Sequence, residues 1–368
     1  MKIICSKAEL SSAISIVSKA VATRTTVTIM ECILITAENG EIRLTANNNE
    51  LGIETIIDGH ILEEGMIALD AKIISEIIRK LPDNDVTIQV DPNLKTTILC
   101  EKAKFEITGR SGDDFTYLPV INMDDCIEIS QLALHEAIRQ TIFSVADNDN
   151  NIVMTGELFE VNDNELKIVS LDGHRISVRK LVLNDSYGQK KVIVPGKTLQ
   201  ELNKILSAEQ DEIVQIFFSQ NHLMFQFDET TVVTRLIEGN YFDVNKMISS
   251  EYETRVKVNK KELLSCIDRA TLLSKEGDKK PVVMNFVDGS LQIAMKSYIG
   301  SMDEDIDIEK DGKNLQIGFN PNFFIDALRV IDDEEVTLYM INQKYPCVIK
   351  DEQESYIYLI LPVNFITV

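Results

Sequence analysis

The chain has 368 residues, a net charge of −22, and hydrophobic and charged fractions of 44% and 26%, which suit a soluble protein of two or three domains and exclude a disordered chain. No apolar run approaches the roughly 20 residues that span a bilayer, and Met1-Lys2-Ile3-Ile4-Cys5 lacks the form of a signal peptide, so a cytoplasmic location is expected. The acid excess argues against a wholly nucleic-acid-binding surface, yet it allows a basic inner surface enclosed by an acidic exterior.

Along the chain, residues 7–21 carry an apolar stripe at helical spacing. The turn signal Asn39-Gly40 precedes the alternating Ile42-Arg43-Leu44, and residues 70–81 form an amphipathic helix. An acidic turn follows, then the strand Val86-Thr87-Ile88-Gln89-Val90. The series begins again with a helix over 132–146, the turn Asp163-Asn164 before Leu166-Lys167-Ile168, a helix over 195–206, and the strand Ile213-Val214-Gln215-Ile216-Phe217. It runs a third time through a helix over 260–274, Asp288-Gly289 before Leu291-Gln292-Ile293, a helix over 320–331, and Val336-Thr337-Leu338-Tyr339-Met340.

The second helices start 125 residues apart, and their apolar positions superpose: Ile74 on Leu199 and Phe324, Ile77 on Leu202 and Ala327, Leu81 on Leu206 and Ile331. Several elements holding one register mark an internal repeat. The expected fold class is α+β, with three domains of one fold bounded near 1–122, 123–248 and 249–368.

The chemical motifs give way to plainer readings. Gly196-Lys197-Thr198 follows a strand and opens a helix like the end of a phosphate-binding loop. The loop's first glycine is missing, however, because position 191 is Lys, and Pro195 removes a donor. Asp147-Asn148-Asp149-Asn150-Asn151 resembles the start of a calcium loop but lacks its Gly and its final Glu. Asp172-Gly173-His174-Arg175 gathers acid, base and cation, yet it reads first as a tight turn. Cys5, Cys32, Cys100, Cys126, Cys266 and Cys347 are scattered, as buried reduced thiols are, and form no zinc pattern. No catalytic residue, metal or cofactor is expected.

The repeat, with Ser170-Leu171-Asp172-Gly173-His174-Arg175, Arg235-Leu236-Ile237-Glu238-Gly239-Asn240-Tyr241 and Tyr358-Leu359-Ile360-Leu361-Pro362-Val363, resembles the bacterial sliding clamps, the β subunits of DNA polymerase III, over the whole chain. The resemblance implies a non-catalytic processivity factor. It implies a head-to-tail homodimeric ring around double-stranded DNA of any sequence, with helices lining a central hole and antiparallel sheets outside. It implies DNA contacts at Arg24, Lys72, Arg79, Lys197 and Lys204. By helical spacing, Lys72 and Arg79 also share one face opposite Ile74 and Ile78.

The same resemblance implies a hydrophobic pocket for linear motifs of the replicative polymerase α subunit, the clamp loader and other clamp-binding proteins. Its residues would be Met154, Leu171, Gly173, His174, Arg175, Ile176, Phe242, Met247, Pro346, Leu359 and Leu361. Phe242 stands where the family often has Pro, and the chain continues past Pro362, so the peptide preference stays open. The dimer contact would set Lys102, Lys104 and Phe105 against Leu272, Leu273, Asp303, Glu304 and Asp305. Two other readings are a repeat scaffold for protein contacts that never encircles DNA, and a nucleotide-binding enzyme built on Gly196-Lys197-Thr198.

Overall fold

The computed structural model describes residues 1–123, 126–147, 150–209, 212–248, 251–273 and 280–365. Among them run six α-helices: α1 (Lys7–Val17), α2 (Ala71–Lys80), α3 (Gln131–Arg139), α4 (Gly196–Leu202), α5 (Lys260–Thr271) and α6 (Pro321–Val330). The caps explain several starts. The Ser6 hydroxyl accepts from Glu9 N–H at 3.1 Å, Asp70 accepts from Ile73 N–H at 2.9 Å, and Asn259 accepts from Glu262 N–H at 3.1 Å, each satisfying a first-turn donor with no partner in the helix. At α6, Asn320 caps and Pro321 supplies a preset φ.

The first helix of each copy ends earlier than its apolar stripe suggests. The Ser18 hydroxyl donates back to the Ile14 carbonyl at 2.5 Å, and Thr141 donates to that of Ala137 at 2.8 Å. Such bonds compete with helix propagation, and a 3-10 turn follows in both places, at Ser18–Ala20 and Ile142–Ser144.

Ile74, Leu199 and Phe324 are each fully buried, as the repeat requires, and Leu202 and Ala327 follow suit. The first copy departs at the next position. Ile78 is fully buried while Ile77 is only half-buried, because the inward row of α2 steps by four residues, not three. The turns repeat as well: Asn39, Asp163 and Gly289 all sit in the left-handed region, at φ 52°, 55° and 79°, where Asn, Asp and Gly are the tolerated residues.

All strand pairings among the described residues are antiparallel, in three sheets. A five-stranded sheet has the order His60–Glu63, Lys2–Ser6, Asp85–Val90, Lys95–Cys100, Ala103–Thr108. In the eight-stranded sheet, Thr230–Arg235 from the second copy pairs with Leu51–Ile57 from the first, in register Thr230↔Thr55 to Thr234↔Leu51. In the ten-stranded sheet, Arg175–Pro195 from the second copy pairs with Tyr356–Ile360 from the third, in register Arg175↔Ile360 to Arg179↔Tyr356. Successive copies are thus joined by continuous β-sheet.

That sharing divides the chain into two compact units where three domains are expected: Met1–Leu132 with Glu201–Leu236, and Ala133–Gln200 with Ile237–Val368. The middle copy completes a sheet in each. The expected boundaries near 122–128 and 249–254 fall partly on residues 124, 125, 249 and 250, which lie outside the described residues.

Candidate functional site

The second unit holds the residues expected to form a peptide pocket. Asp172-Gly173-His174-Arg175 folds as the tight turn its composition suggests. Asp172 Oδ1 accepts from the His174 and Arg175 N–H groups at 3.0 and 3.1 Å, and Gly173 takes φ 82°. The turn carries strand Arg175–Pro195 away beside Tyr356–Ile360, which pairs Ile176 with Leu359, and Leu361 N–H donates to the His174 carbonyl at 2.9 Å. The Met154 methyl group lies 3.7 Å from where a Cβ on Gly173 would stand.

Leu171, Ile176 and Leu359 belong to one buried cluster, with Met154 and Phe242 packed against it. Leu361 and Met247, by contrast, are 37% and 46% exposed, and Pro346 is half-buried. A buried apolar floor with exposed apolar side chains nearby suits an extended peptide. Sequence reading missed other members of that cluster, among them Val178, Tyr241, Val244 and Val348. The Tyr241 hydroxyl donates to the Gly156 and Val169 carbonyls at 3.3 and 3.2 Å, and burial pushes its phenol up from the ordinary value. The adjacent Gly239-Asn240-Tyr241 motif was a signal for this anchor.

Arg175 is committed to the protein itself. Its Nε donates to Asp172 Oδ2 at 2.9 Å, Nη1 to Asp326 Oδ2 at 2.6 Å, and Nη2 to the Phe143 carbonyl at 2.6 Å, while the guanidinium lies 4.6 Å from the Phe323 ring centre. His174 is exposed, and its ring stacks on Phe323 at 6.0 Å. Phe143, Phe323 and Asp326 thus orient the turn, a role that no local pattern announces.

Of the expected DNA contacts, Arg24, Lys72, Arg79 and Lys197 are exposed and make no ion pair among the described residues. Lys72 and Arg79 share the face of α2 opposite Ile74 and Ile78. Lys204 is exposed too, but its Nζ donates to Glu201 at 2.7 Å, so its charge is partly neutralised.

Both expected dimer edges are open β-structure, each within its own unit. Ala103–Thr108 is the last strand of the five-stranded sheet and presents Lys104 and a 39% exposed Phe105, with Lys102 exposed just before it. Lys104 and Lys95 both pair with Glu106, and their hydrogen bonds hold that carboxyl at about 2. In Ser301–Gly312, residues 301–307 pair with Ser290–Lys296, whereas only 308–312 pair with Thr254–Asn259, so the first half has a free side among the described residues.

Asp303 and Asp305 are exposed there, whereas Glu304 is not a free acid. Arg269 Nε donates to it at 2.9 Å, and that bond holds its carboxyl below the usual range. Alternation along the strand turns Glu304 toward α5 and its two neighbours away. Leu272 is 78% exposed, and Leu273 packs on the third copy's core.

The rejected motifs have structural roles. A Cβ on Gly196 would stand 2.8 Å from Val145 Cγ1 and 3.0 Å from the Thr155 carbonyl oxygen, so this glycine permits close packing, and Thr198 is buried beyond reach of a phosphate. The calcium-like run includes Asn148 and Asp149, which lie outside the described residues. Among the described residues, no His, Cys, Asp and Glu cluster could hold a metal, and no helix is long and apolar enough to cross a membrane. The cysteines form no disulfide among the described residues; five are buried and Cys126 is half-buried. Burial pushes Cys5 and Cys266 up to about 12, far from a reactive thiolate.

Three family models match: the N-terminal domain of the DNA polymerase III β subunit over residues 1–119, the central domain over 128–243, and the C-terminal domain over 245–364. The β sliding clamps of Staphylococcus epidermidis and Staphylococcus aureus are each 34% identical over 357 residues, covering 94% of both chains. The solved sliding clamp of Bacillus subtilis is 33% identical, with a TM-score of 0.96 over the full length of both chains. A solved Eubacterium rectale chain, titled as a DNA polymerase III β subunit, is 64% identical, with a TM-score of 0.97 over 99% of this chain and 100% of that one. The chain belongs to the bacterial DNA polymerase III β subunit family, the β sliding clamps.

Proposed function

We propose that this chain closes head to tail with a second copy into a ring that slides on duplex DNA and tethers the replicative polymerase to it. The family acts as a processivity factor with no catalytic site of its own. The observation that carries the reading is the threefold repeat, matched along its length by the three clamp-domain models.

A ring needs a heterologous contact that closes by rotation. The two open strand edges supply complementary surfaces, Lys102, Lys104 and Phe105 on one and Leu272, Leu273, Asp303 and Asp305 on the other. Exposed cations, with Lys72, Arg79 and Lys197 on helices and Arg24 in the loop after the first helix leading, suit phosphate contacts that carry no sequence information. The domain limits proposed are 1–122, 123–248 and 249–368.

The groove of Met154, Leu171, Gly173, His174, Ile176, Phe242, Met247, Pro346, Leu359 and Leu361 takes short linear motifs of the polymerase α subunit, the clamp loader and other clamp-binding proteins, with Arg175 holding its turn in place. The decisive experiment loads the chain onto nicked circular DNA and then linearises that DNA. Retention on the circle with rapid loss from the linear form is expected. Equal loss from both would end the reading in favour of a scaffold that does not encircle DNA.

A further inference from the structure

The groove beside His174 has a counterpart in the first unit. Asn47, Asn49, Glu50 and Gly52 precede Leu171, Gly173, His174 and Ile176 by 124 residues, and Leu118 precedes Phe242 by the same interval. The backbones match: Gly52 pairs with Val233 as Ile176 pairs with Leu359, and Arg235 N–H donates to the Glu50 carbonyl at 2.9 Å as Leu361 N–H donates to that of His174. Arg235 therefore takes the position of Leu361. A cleft of about 220 Å³ opens there.

Its chemistry has diverged. Asn47 donates to the Thr116 carbonyl at 2.9 Å and pins the segment that ends the first copy. A Cβ on Gly52 would run into Leu118, so that segment's own side chain occupies part of the floor. Leu118 and Val233 remain as an apolar base, with Glu50, His222 and Arg235 around it. Glu50 and Arg235 are both exposed, and neither makes an ion pair among the described residues although their backbones are bonded.

We propose that this cleft is a second docking site for a short extended peptide, one that sets a carboxylate side chain against Arg235 and an apolar side chain over Leu118 and Val233. An uncompensated guanidinium beside an apolar base is a donor suited to a carboxylate. Glu50 repels further acid, which limits the ligand to a single acidic residue and disfavours a nucleic-acid backbone with its charge on every phosphate. The inference leans on reading the His174 groove as a peptide site, because the equivalence between the two grooves is what suggests the ligand class.

The test selects a displayed library of random heptapeptides on the full-length chain. Enriched peptides are then measured in fluorescent form against wild type, Arg235→Glu, Glu50→Gln and Leu361→Asp, with thermal melts confirming that each variant folds. The expected result is a class pairing one Asp or Glu with an apolar residue. That class weakens at least tenfold in Arg235→Glu, tightens in Glu50→Gln and ignores Leu361→Asp. The proposal is overturned if every enriched peptide is lost in Leu361→Asp and none responds to Arg235→Glu. It is equally overturned if Arg235→Glu spares all peptides and weakens only a labelled DNA duplex. A library in which nothing responds to Leu361→Asp removes the His174 reading instead, and the cleft is then judged on Arg235→Glu alone.

Discussion

Arg175 Nη1 donates to Asp326 Oδ2 at 2.6 Å, so a turn of the second copy is held by a helix of the third. The same guanidinium satisfies Asp172 and the Phe143 carbonyl. Arg175→Ala strands two carboxylates and a carbonyl, at a cost on the order of 2–3 kcal/mol given the partial exposure of Asp326. Arg175→Lys recovers little, since a point charge cannot reach three acceptors in a fork. Thermal melts of both variants should fall by several degrees; an unchanged Arg175→Lys midpoint would contradict this role.

Glu157 is fully buried in the middle copy, and neither of its carboxyl oxygens accepts a hydrogen bond among the described residues. Burial pushes its pKa up to about 8. In the unfolded chain it returns to roughly 4.3. Between those values the folded state binds more protons than the unfolded one, so this group makes stability fall as pH rises, at a limiting slope of about 1.4 kcal/mol per pH unit. Glu157→Gln should flatten that slope in urea unfolding at pH 5, 6.5 and 8 and should stabilise most at pH 8. Parallel curves for the two proteins would refute the assignment.

Leu361→Asp and His174→Ala alter exposed positions of the proposed peptide groove. A clamp-binding linear-motif peptide of a replicative polymerase α subunit should bind each variant at least tenfold more weakly, with sedimentation unchanged. Loss of the dimer together with peptide binding would point to misfolding instead.

Leu272→Asp puts a charge on a side chain that is 78% exposed in the isolated chain and buried in the proposed ring. Sedimentation at micromolar concentration should show a dimer for wild type and a monomer for the variant. A monomeric wild type would remove the ring.

Reversing Lys72 and Arg79 together to Glu should shorten retention on circular DNA and reduce its salt sensitivity, because each phosphate contact adds nearly one unit to the salt slope. Peptide binding should be unaffected.

Much of this architecture was legible because it is periodic. The left-handed turns at Asn39, Asp163 and Gly289 and the inward Ile74, Leu199 and Phe324 follow from local chemistry written three times over. Helix ends were less legible, since Ser18 and Thr141 stop their helices through hydroxyl bonds to carbonyls four residues back. The site was legible where a turn is local, as at Asp172 and Gly173. It was opaque where partners lie far apart in sequence: Asp326 for Arg175, and Arg269 for Glu304.

Copies one and two, and copies two and three, are stitched by main-chain hydrogen bonds, which any residue except proline can make. Side chains flanking each stitch are therefore free to drift without loosening it. A threefold repeat built this way can keep one crevice oily and let its counterpart turn ionic, so a single backbone arrangement can carry two surface chemistries on the same molecule.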